Sequence, residues 1–357
     1  MEKLRELVNE FQAQNLLLPI WLQEEKLYAV NQKKLPHTNE VMAIQNVEEL
    51  ASAINDMVIR GSGALGTCGA WGLYLAAIRS GGDEKFVTRA GELLKQTRPT
   101  AVNLVHTIDE ILEQMNGHGI ELIQEIERKT IEILKRQLSF EHRLGEYGAE
   151  LIQDGDSILT HCHSGALAGS GYGGRALSVI RKAHEQGKNI HVYVCETRPY
   201  LQGARITAYE LKEFGIPHTL LSDNMSGHCM RQGLIDNVIV GSDRVVRNGD
   251  LANKVGTYMH ALAAKANNVP FYTATSSHTI DGTLSNGKEI EIEYRNPSEV
   301  TSFQEFRIAP EDTQALYPSF DITPHELIEG IITERGVIQA PYSTNLRKVM
   351  VEADSLV

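Results

Sequence analysis

Four short stretches place reactive side chains directly after apolar runs: His161-Cys162-His163, Cys195-Glu196-Thr197-Arg198, Asp223-Asn224 and Ser242-Asp243-Arg244. A thiol, carboxylates and arginines gathered in one crevice would support proton transfer beside an anion site. A single Asp, Asn or Ser after a strand is more often a helix N-cap than a catalyst. Cys162 and Asp243 stand out from that background. Cys162 lies between Thr160-His161 and the small-residue run Ser164-Gly165-Ala166, which would open a helix and lower the thiol pKa.

Two other patterns invite chemistry and fail on context. Residues 61–66, Gly-Ser-Gly-Ala-Leu-Gly, match G-x-G-x-x-G, and Asp83 or Glu84 follows roughly where a ribose-binding acid should stand. That motif needs a buried strand before it, whereas residues 46–58 read as an amphipathic helix, so no nicotinamide or flavin is expected. A glycine turn after Arg60 instead offers backbone N–H groups to a phosphate. His161 and His163 share a face at a strand end, and His228-Cys229 would add ligands to a metal. No carboxylate stands at i, i+4 to them, so the expectation is a histidine hydrogen-bonded at the site wall and no metal.

The elements that must position these residues change character along the chain. After a short extended start at Trp21–Val30 and a turn at Asn31–Pro36, the first third reads as helical. Asn46-Val-Glu-Glu opens a helix carrying Val47, Leu50, Ile54, Met57 and Val58 on one face. Between Gly119 and Gly148, Ile120, Ile123, Ile126, Thr130, Leu134 and Leu138 hold one face of a longer helix. From about residue 155, short apolar runs alternate with helical segments, as in a parallel sheet with crossover helices. The strand candidates are Ser157–His161, Ile190–Cys195, His218–Leu221, Val238–Gly241 and Pro270–Thr275. The expected fold class is α/β: a mainly helical N-terminal domain with a short β start over 1–150, and a Rossmann-like parallel-sheet domain over 151–357. In such sheets ligands bind beyond the carboxyl ends of the strands, where the reactive residues fall.

Composition sets the outer bounds. The length of 357 residues suits two domains, and the 42% hydrophobic and 22% charged content is ordinary for folded chains. A formal charge of −12 argues against nucleic-acid binding, so the positive field for any anionic ligand must be local. The cysteines Cys68, Cys162, Cys195 and Cys229 form no CxxC pair, and no signal-like apolar run follows the first charges, which points to a reducing cytoplasm. Cys68 and Cys229 read as small buried hydrophobes. No stretch approaches the roughly 20 apolar residues of a membrane span.

These residues also carry a family likeness from about Trp21 to Pro341. The segments are Met57-Val-Ile-Arg60-Gly61, Arg98 to Leu104, Leu159-Thr-His-Cys162 with Gly165 to Ala168, Glu196 to Arg205, Asp223-Asn-Met and Val240-Gly-Ser-Asp243-Arg. Asn248 to Thr257, Pro270-Phe-Tyr, Thr279-Ile-Asp and Phe320-Asp-Ile-Thr-Pro follow in order. The chain resembles the methylthioribose-1-phosphate isomerase family. The resemblance implies a homodimer, no cofactor, a catalytic pair at Cys162 and Asp243, and substrate held by Arg60, Gly61, Ser62, Arg98, Gln202, Asn253 and Lys254. It implies conversion of a 5-substituted ribose 1-phosphate to the ribulose 1-phosphate. Asp243 would protonate the ring oxygen from a water-poor, apolar setting that Ile239-Val240 help provide, and Cys162 would take the proton from C2 or its hydroxyl. The chain departs from the family pattern at His163 (usually Asn), Ser62-Gly63 (usually Ala-Pro) and Cys195 (usually Asp), positions expected to touch the pocket. They bring forward a 5-deoxyribose 1-phosphate isomerase beside the methionine-salvage enzyme. Ribose 1,5-bisphosphate isomerase and a non-catalytic regulatory module of the same superfamily are the alternatives, the latter because fold alone does not license an activity.

Overall fold

The computed structural model describes residues 2–98, 101–303 and 306–354. The chain divides into two compact units, one of residues 1–142 with 164–178, the other of 143–163 with 179–357. The first therefore takes in a segment from beyond residue 150, where the sequence places the boundary.

The first unit opens with helix α1 (Glu2–Ala13), which the sequence reading passes over in favour of an extended start. A three-stranded antiparallel sheet follows, of β1 (Ile20–Gln23), β2 (Lys26–Val30) and β3 (Val41–Ile44). Helix α2 (Val47–Asn55) starts where expected, because the Asn46 carboxamide oxygen accepts the Glu49 amide at 2.8 Å and the Glu49 carboxylate accepts from Asn46 Nδ2. Helix α3 (Ser62–Ser80) is buried on every side from Gly63 to Ala77, so it forms the axis of this unit. Helices α4 (Glu84–Thr97) and α5 (Val102–Gln114) pack on it. Gly72 permits that approach, since a Cβ there would come 2.5 Å from Leu94 Cδ1. Helix α6 (Ile120–Ala149) buries Leu122, Ile126, Thr130, Ile133, Leu134 and Leu138. Four members of the expected face, Ile126, Thr130, Leu134 and Leu138, are among these and Ile123 packs half-buried on the same core, whereas Ile120 is 69% exposed because it begins the helix ahead of the packed turns.

Glu141, on α6, is 1% exposed and supports the returning segment. Its carboxylate accepts the backbone N–H groups of Ser170, Tyr172 at 3.0 Å, Gly173 at 3.1 Å and Gly174 at 3.0 Å. Burial pushes this carboxyl up from its ordinary range, and the backbone donors pull against that by favouring the charged form.

The second unit is built on a seven-stranded sheet. Its parallel strands are β4 (Ser157–Thr160), β5 (His191–Cys195), β6 (His218–Leu221) and β7 (Asn237–Val240). All four correspond to predicted strands within a residue at either end. Beyond β7 come two small strands, β8 (Arg244–Val246) and β9 (Leu251–Lys254), and then the fifth predicted strand of the main sheet, β10 (Phe271–Ala274). Then follow β11 (Ile280–Asp281), the antiparallel pair of β12 (Ser302–Phe303) and β13 (Phe306–Arg307), and β14 (Phe320–Thr323). Strand β15 (Gly330–Thr333) continues the parallel set, and β16 (Gly336–Ile338) closes the edge antiparallel to it. The sheet order is β16-β15-β10-β7-β4-β5-β6, the doubly wound Rossmann order with one added strand, so the α/β expectation holds. A second sheet, ordered β11-β8-β9-β14, is absent from the sequence reading. Its strands bury Asn253 and Lys254, so no apolar alternation marks them. Helix α7 (Ala176–Glu185) leads into β5, and α8 (Ala208–Glu213), α9 (Ser226–Arg231) and α10 (Thr257–Ala266) follow in this unit. Among the described residues, no helix is long and apolar enough to cross a membrane.

Replacing Glu141 with Ala strands several buried N–H groups at once. The Glu141→Ala protein should lose roughly 3 kcal/mol or more of stability, read as a lower urea midpoint.

Candidate active site

In the second unit the strand order reverses at β4, which has β5 on one side and β7 on the other. Cys162 follows β4 and Asp243 follows β7, so the two candidate catalytic residues stand beyond the carboxyl ends of the strands that flank the switch point.

Cys162 is pinned from three directions. Its backbone N–H donates to Thr197 Oγ1 at 2.9 Å, Thr207 Oγ1 donates to its carbonyl at 2.9 Å, and Gln202 Nε2 donates to its Sγ at 3.3 Å. The backbone here is left-handed, with φ +69° at Cys162, +62° at Thr197 and +61° at Leu201. Side chains seldom adopt that region, and they keep it where surrounding bonds enforce it. The run Ser164-Gly165-Ala166 does not open a long helix after the thiol, as the sequence suggests; Ala166–Ala168 make one 3₁₀ turn, and the next helix waits until Ala176. Gln202 is 2% exposed, and its Oε1 has no donor among the described residues. A buried acceptor left open beside a thiol suits a hydroxyl from a ligand.

Asp243, Asn253 and Lys254 are gathered by the small sheet. The Asp243 N–H donates to Ala252 O at 3.0 Å where β8 pairs with β9, and the next residues on β9 are Asn253 and Lys254. Asn253 Nδ2 donates to Thr257 Oγ1 at 3.0 Å. Lys254 is buried, with Nζ donating to Ser319 O at 2.8 Å and lying 4.8 Å from the Phe320 ring centre. The expectation of a dry setting for Asp243 is overturned: Ile239 and Val240 are fully buried, yet Asp243, beyond the strand end, is exposed. His161 joins the groups, because its Nε2 lies 3.0 Å from Val255 O, next to Lys254.

The other strand-end residues brace the backbone. Asp223 accepts the N–H groups of Thr197 and Arg198, both at 2.7 Å. The Arg198 guanidinium donates to the carbonyls of Glu299 and Val300. His163 Nε2 meets Glu210 Oε1 at 2.7 Å with both side chains fully buried, and Cys195 is fully buried as well. Neither therefore lines an open pocket wall, contrary to expectation. His163 also parts from His161, so the pairing that raised a metal at those two histidines does not form. Cys68 and Cys229 are buried, and burial pushes the Cys68 thiol up. The sequence reading assigns no role to Asp321, on β14 opposite Asn253. Its carboxylate accepts from Gly256 N at 2.6 Å and Tyr258 N at 3.1 Å, tying down the start of α10, and burial pushes it up to about 6 against those bonds and Lys254.

In the first unit, Gly61 is the N-cap of α3 at φ +103°, and a Cβ there would fall 2.4 Å from Ala168 Cβ, so glycine is required. The cap brings no side-chain hydrogen bond, which leaves the first N–H groups of a 19-residue helix to another acceptor. Ser62 is exposed and its Oγ accepts from Asn103 Nδ2 at 2.8 Å. Arg60 precedes the cap, and Arg98 Nη1 lies 2.8 Å from Met57 Sδ, so two cations belong to this neighbourhood. Pro99 and Thr100, from the same segment as Arg98, lie outside the described residues.

Comparison with known proteins agrees with this architecture. Residues 36–340 match the model of the initiation factor 2 subunit family. A methylthioribose-1-phosphate isomerase from Acetivibrio thermocellus is 46% identical over 332 residues, covering 90% of this chain and 96% of that protein. Among solved structures, 5-methylthioribose 1-phosphate isomerase from Pyrococcus horikoshii OT3 superposes with a TM-score of 0.90 at 39% identity, covering 95% of this chain and 98% of that one. A structure described as translation initiation factor eIF-2B, subunit delta, from A. fulgidus has a TM-score of 0.87 at 40% identity, covering 94% and 99%. With a family model spanning most of its length and relatives this similar along nearly all of theirs, the chain belongs to the methylthioribose-1-phosphate isomerase family, within the initiation factor 2 subunit family.

Proposed function

We propose that this enzyme, an aldose–ketose isomerase, converts a ribose 1-phosphate with an apolar 5-substituent into the corresponding ribulose 1-phosphate. The names of its relatives favour 5-methylthioribose 1-phosphate, and hence methionine salvage, with 5-deoxyribose 1-phosphate as the smaller competitor. The carrying observation is the pinned Cys162 thiol beside the open Gln202 acceptor at the switch point. A 1-phosphate locks C1, so the ring must open with a proton delivered to the ring oxygen. Asp243 supplies it; being exposed in the free chain, it depends on bound substrate to exclude water and hold its carboxyl protonated. Cys162 then takes the proton from C2, through an enediol, or from the 2-hydroxyl, as hydride passes from C2 to C1. Gln202 Oε1 accepts a sugar hydroxyl. Arg60, Arg98, the α3 N-terminus with Gly61 and Ser62, and Asn253 with Lys254 hold the phosphate and sugar, supplying locally the positive field that a net charge of −12 does not.

A second reading, a non-catalytic assembly module, is favoured by the 40% identical structure described as subunit delta of eIF-2B. Such a module has no need of a pinned thiol. We further propose a cytoplasmic homodimer: four free cysteines suit a reducing compartment, and Tyr258, Met259 and Leu262 leave an exposed apolar face on α10.

Cys162→Ser and Asp243→Asn should each lower kcat by roughly 10²- to 10⁴-fold with unchanged circular dichroism. An active Asp243→Asn protein overturns the acid assignment. Gln202→Leu, which keeps the volume and removes the open acceptor, should lower kcat/KM by roughly 10- to 100-fold. Turnover of 5-methylthioribose, 5-deoxyribose and ribose 1,5-bisphosphate substrates should be compared on one preparation in D2O. Fastest ketose formation from the methylthio sugar is expected. Faster turnover of the 5-deoxy sugar reassigns the substrate, and no turnover of any of the three supports the assembly module. Deuterium at C1 of the product marks the enediol, and its absence marks the hydride shift.

A further inference from the structure

Within the second unit, next to Cys162, the structure assembles four potential metal ligands from four elements. His161 follows β4, Cys195 ends β5, Asp223 follows β6 and His260 lies in α10. Their ligand atoms all lie within 4.8 Å of one another. His161, Cys195 and His260 are each no more than 1% exposed. The mechanism uses none of the four.

The geometry points to a zinc site closed by His161 Nδ1, Cys195 Sγ, an Asp223 carboxylate oxygen and His260 Nε2. His161 Nδ1 and His260 Nε2 stand 3.2 Å apart, and two nitrogens on one tetrahedral zinc stand about 3.3 Å apart for Zn–N bonds of about 2.0–2.1 Å. The Nδ1 of His161 is 3.8 Å from Asp223 Oδ1. Each imidazole has its outer nitrogen engaged, His161 Nε2 with Val255 O at 3.0 Å and His260 Nδ1 with Ser226 Oγ at 2.8 Å. That arrangement fixes the tautomer of a metal-bound histidine, leaving the inner lone pairs for the ion. Two imidazoles, a thiolate and a carboxylate are a borderline-soft, tetrahedral set, which selects zinc or cobalt over magnesium or calcium. Binding releases one proton, that of the Cys195 thiol, to solvent. With four protein ligands the site is structural: it ties the carboxyl ends of three adjacent strands to α10 and braces Thr197, whose hydroxyl holds Cys162. A plain hydrogen-bond chain from Ser226 through both imidazoles to Val255 explains the histidine contacts, and the Thr197 and Arg198 amides hold the Asp223 carboxylate, but neither gives the buried Cys195 thiol a part.

The test is titration of chelator-stripped, full-length protein with CoCl2. Visible ligand-field bands and a near-ultraviolet thiolate-to-cobalt band should grow to a stoichiometric end point and be bleached by ZnCl2. Zinc at a hundredfold excess over its Kd should raise Tm by about 5 °C. Cys195→Ala should abolish the thiolate band, and His260→Ala should weaken binding more than about tenfold. Cys162→Ala should leave the spectrum intact. Absence of the thiolate band in the unmutated protein overturns the proposal whatever the variants do. So does a band that survives Cys195→Ala or disappears with Cys162→Ala.

Discussion

The candidate site depends on one constraint, the reversal of strand order at β4. Because β5 lies on one side of it and β7 on the other, the turn after β4 opens where the crossover helices leave to opposite faces of the sheet. Backbone amides at the end of a buried strand have no ladder partner and must bond to something nearby. Here the Cys162 amide takes the Thr197 hydroxyl from the end of β5, and Asp223, at the end of β6, takes the amides of Thr197 and Arg198. The end of each strand is thus held by its neighbour. The left-handed turn at Cys162 survives because these bonds over-determine it, and the thiol is aimed by its backbone before any ligand arrives.

The acidic chain meets an anionic substrate by spending its few local cations carefully. Lys254 is buried on β9 between a carbonyl and an aromatic face, so its charge is screened little by water. A buried ammonium is costly unless partnered, and the Ser319 carbonyl, the Phe320 ring and the Asp321 carboxyl one residue along β14 supply that environment. The same field acts on Asp321, which burial raises and Lys254 lowers. Opposed effects of this kind place a buried positive charge locally in a chain whose net charge is −12.

The sequence made five of the main sheet's seven strands legible because the interior ones are short apolar runs bounded by turn residues, a pattern that follows from burial on both faces, while the edge strand β6 keeps Thr219 and Leu220 exposed. It did not reveal β8, β9 and β14, which run three or four residues each and mix apolar with polar side chains, as in Leu251-Ala-Asn-Lys254, without a period-2 signal. Nor did it reveal Glu141: one acid on a long charged helix looks like any solvated residue until the segment it anchors returns from far along the chain. Strand-end position drew attention to Cys162 and Asp243, but not to which neighbours were braces. Asp223 and Arg198 carry the same residue types as catalysts and spend them on backbone groups, a difference that only three-dimensional partners show. His163 is the clearest such case, since its adjacency to Cys162 suggests a pocket wall and its bond to Glu210 turns it into the core.

A fold shared at 40% identity with a structure described as a translation factor subunit and at 39% with one described as an isomerase does not by itself decide between those activities. Global similarity measures the cores, and the cores here are ordinary. What separates a catalyst from a scaffold is local cost. A left-handed cysteine, a carboxamide buried with an open acceptor and a lysine withdrawn from water each destabilise the free chain relative to plain packing. An assembly module gains nothing by carrying them together at a switch point, whereas an isomerase recovers the cost when substrate fills the acceptor and meets the charge. The concentration of these costs within a few residues of Cys162 and on the two small strands that follow Asp243 is the physical argument for catalysis in this chain.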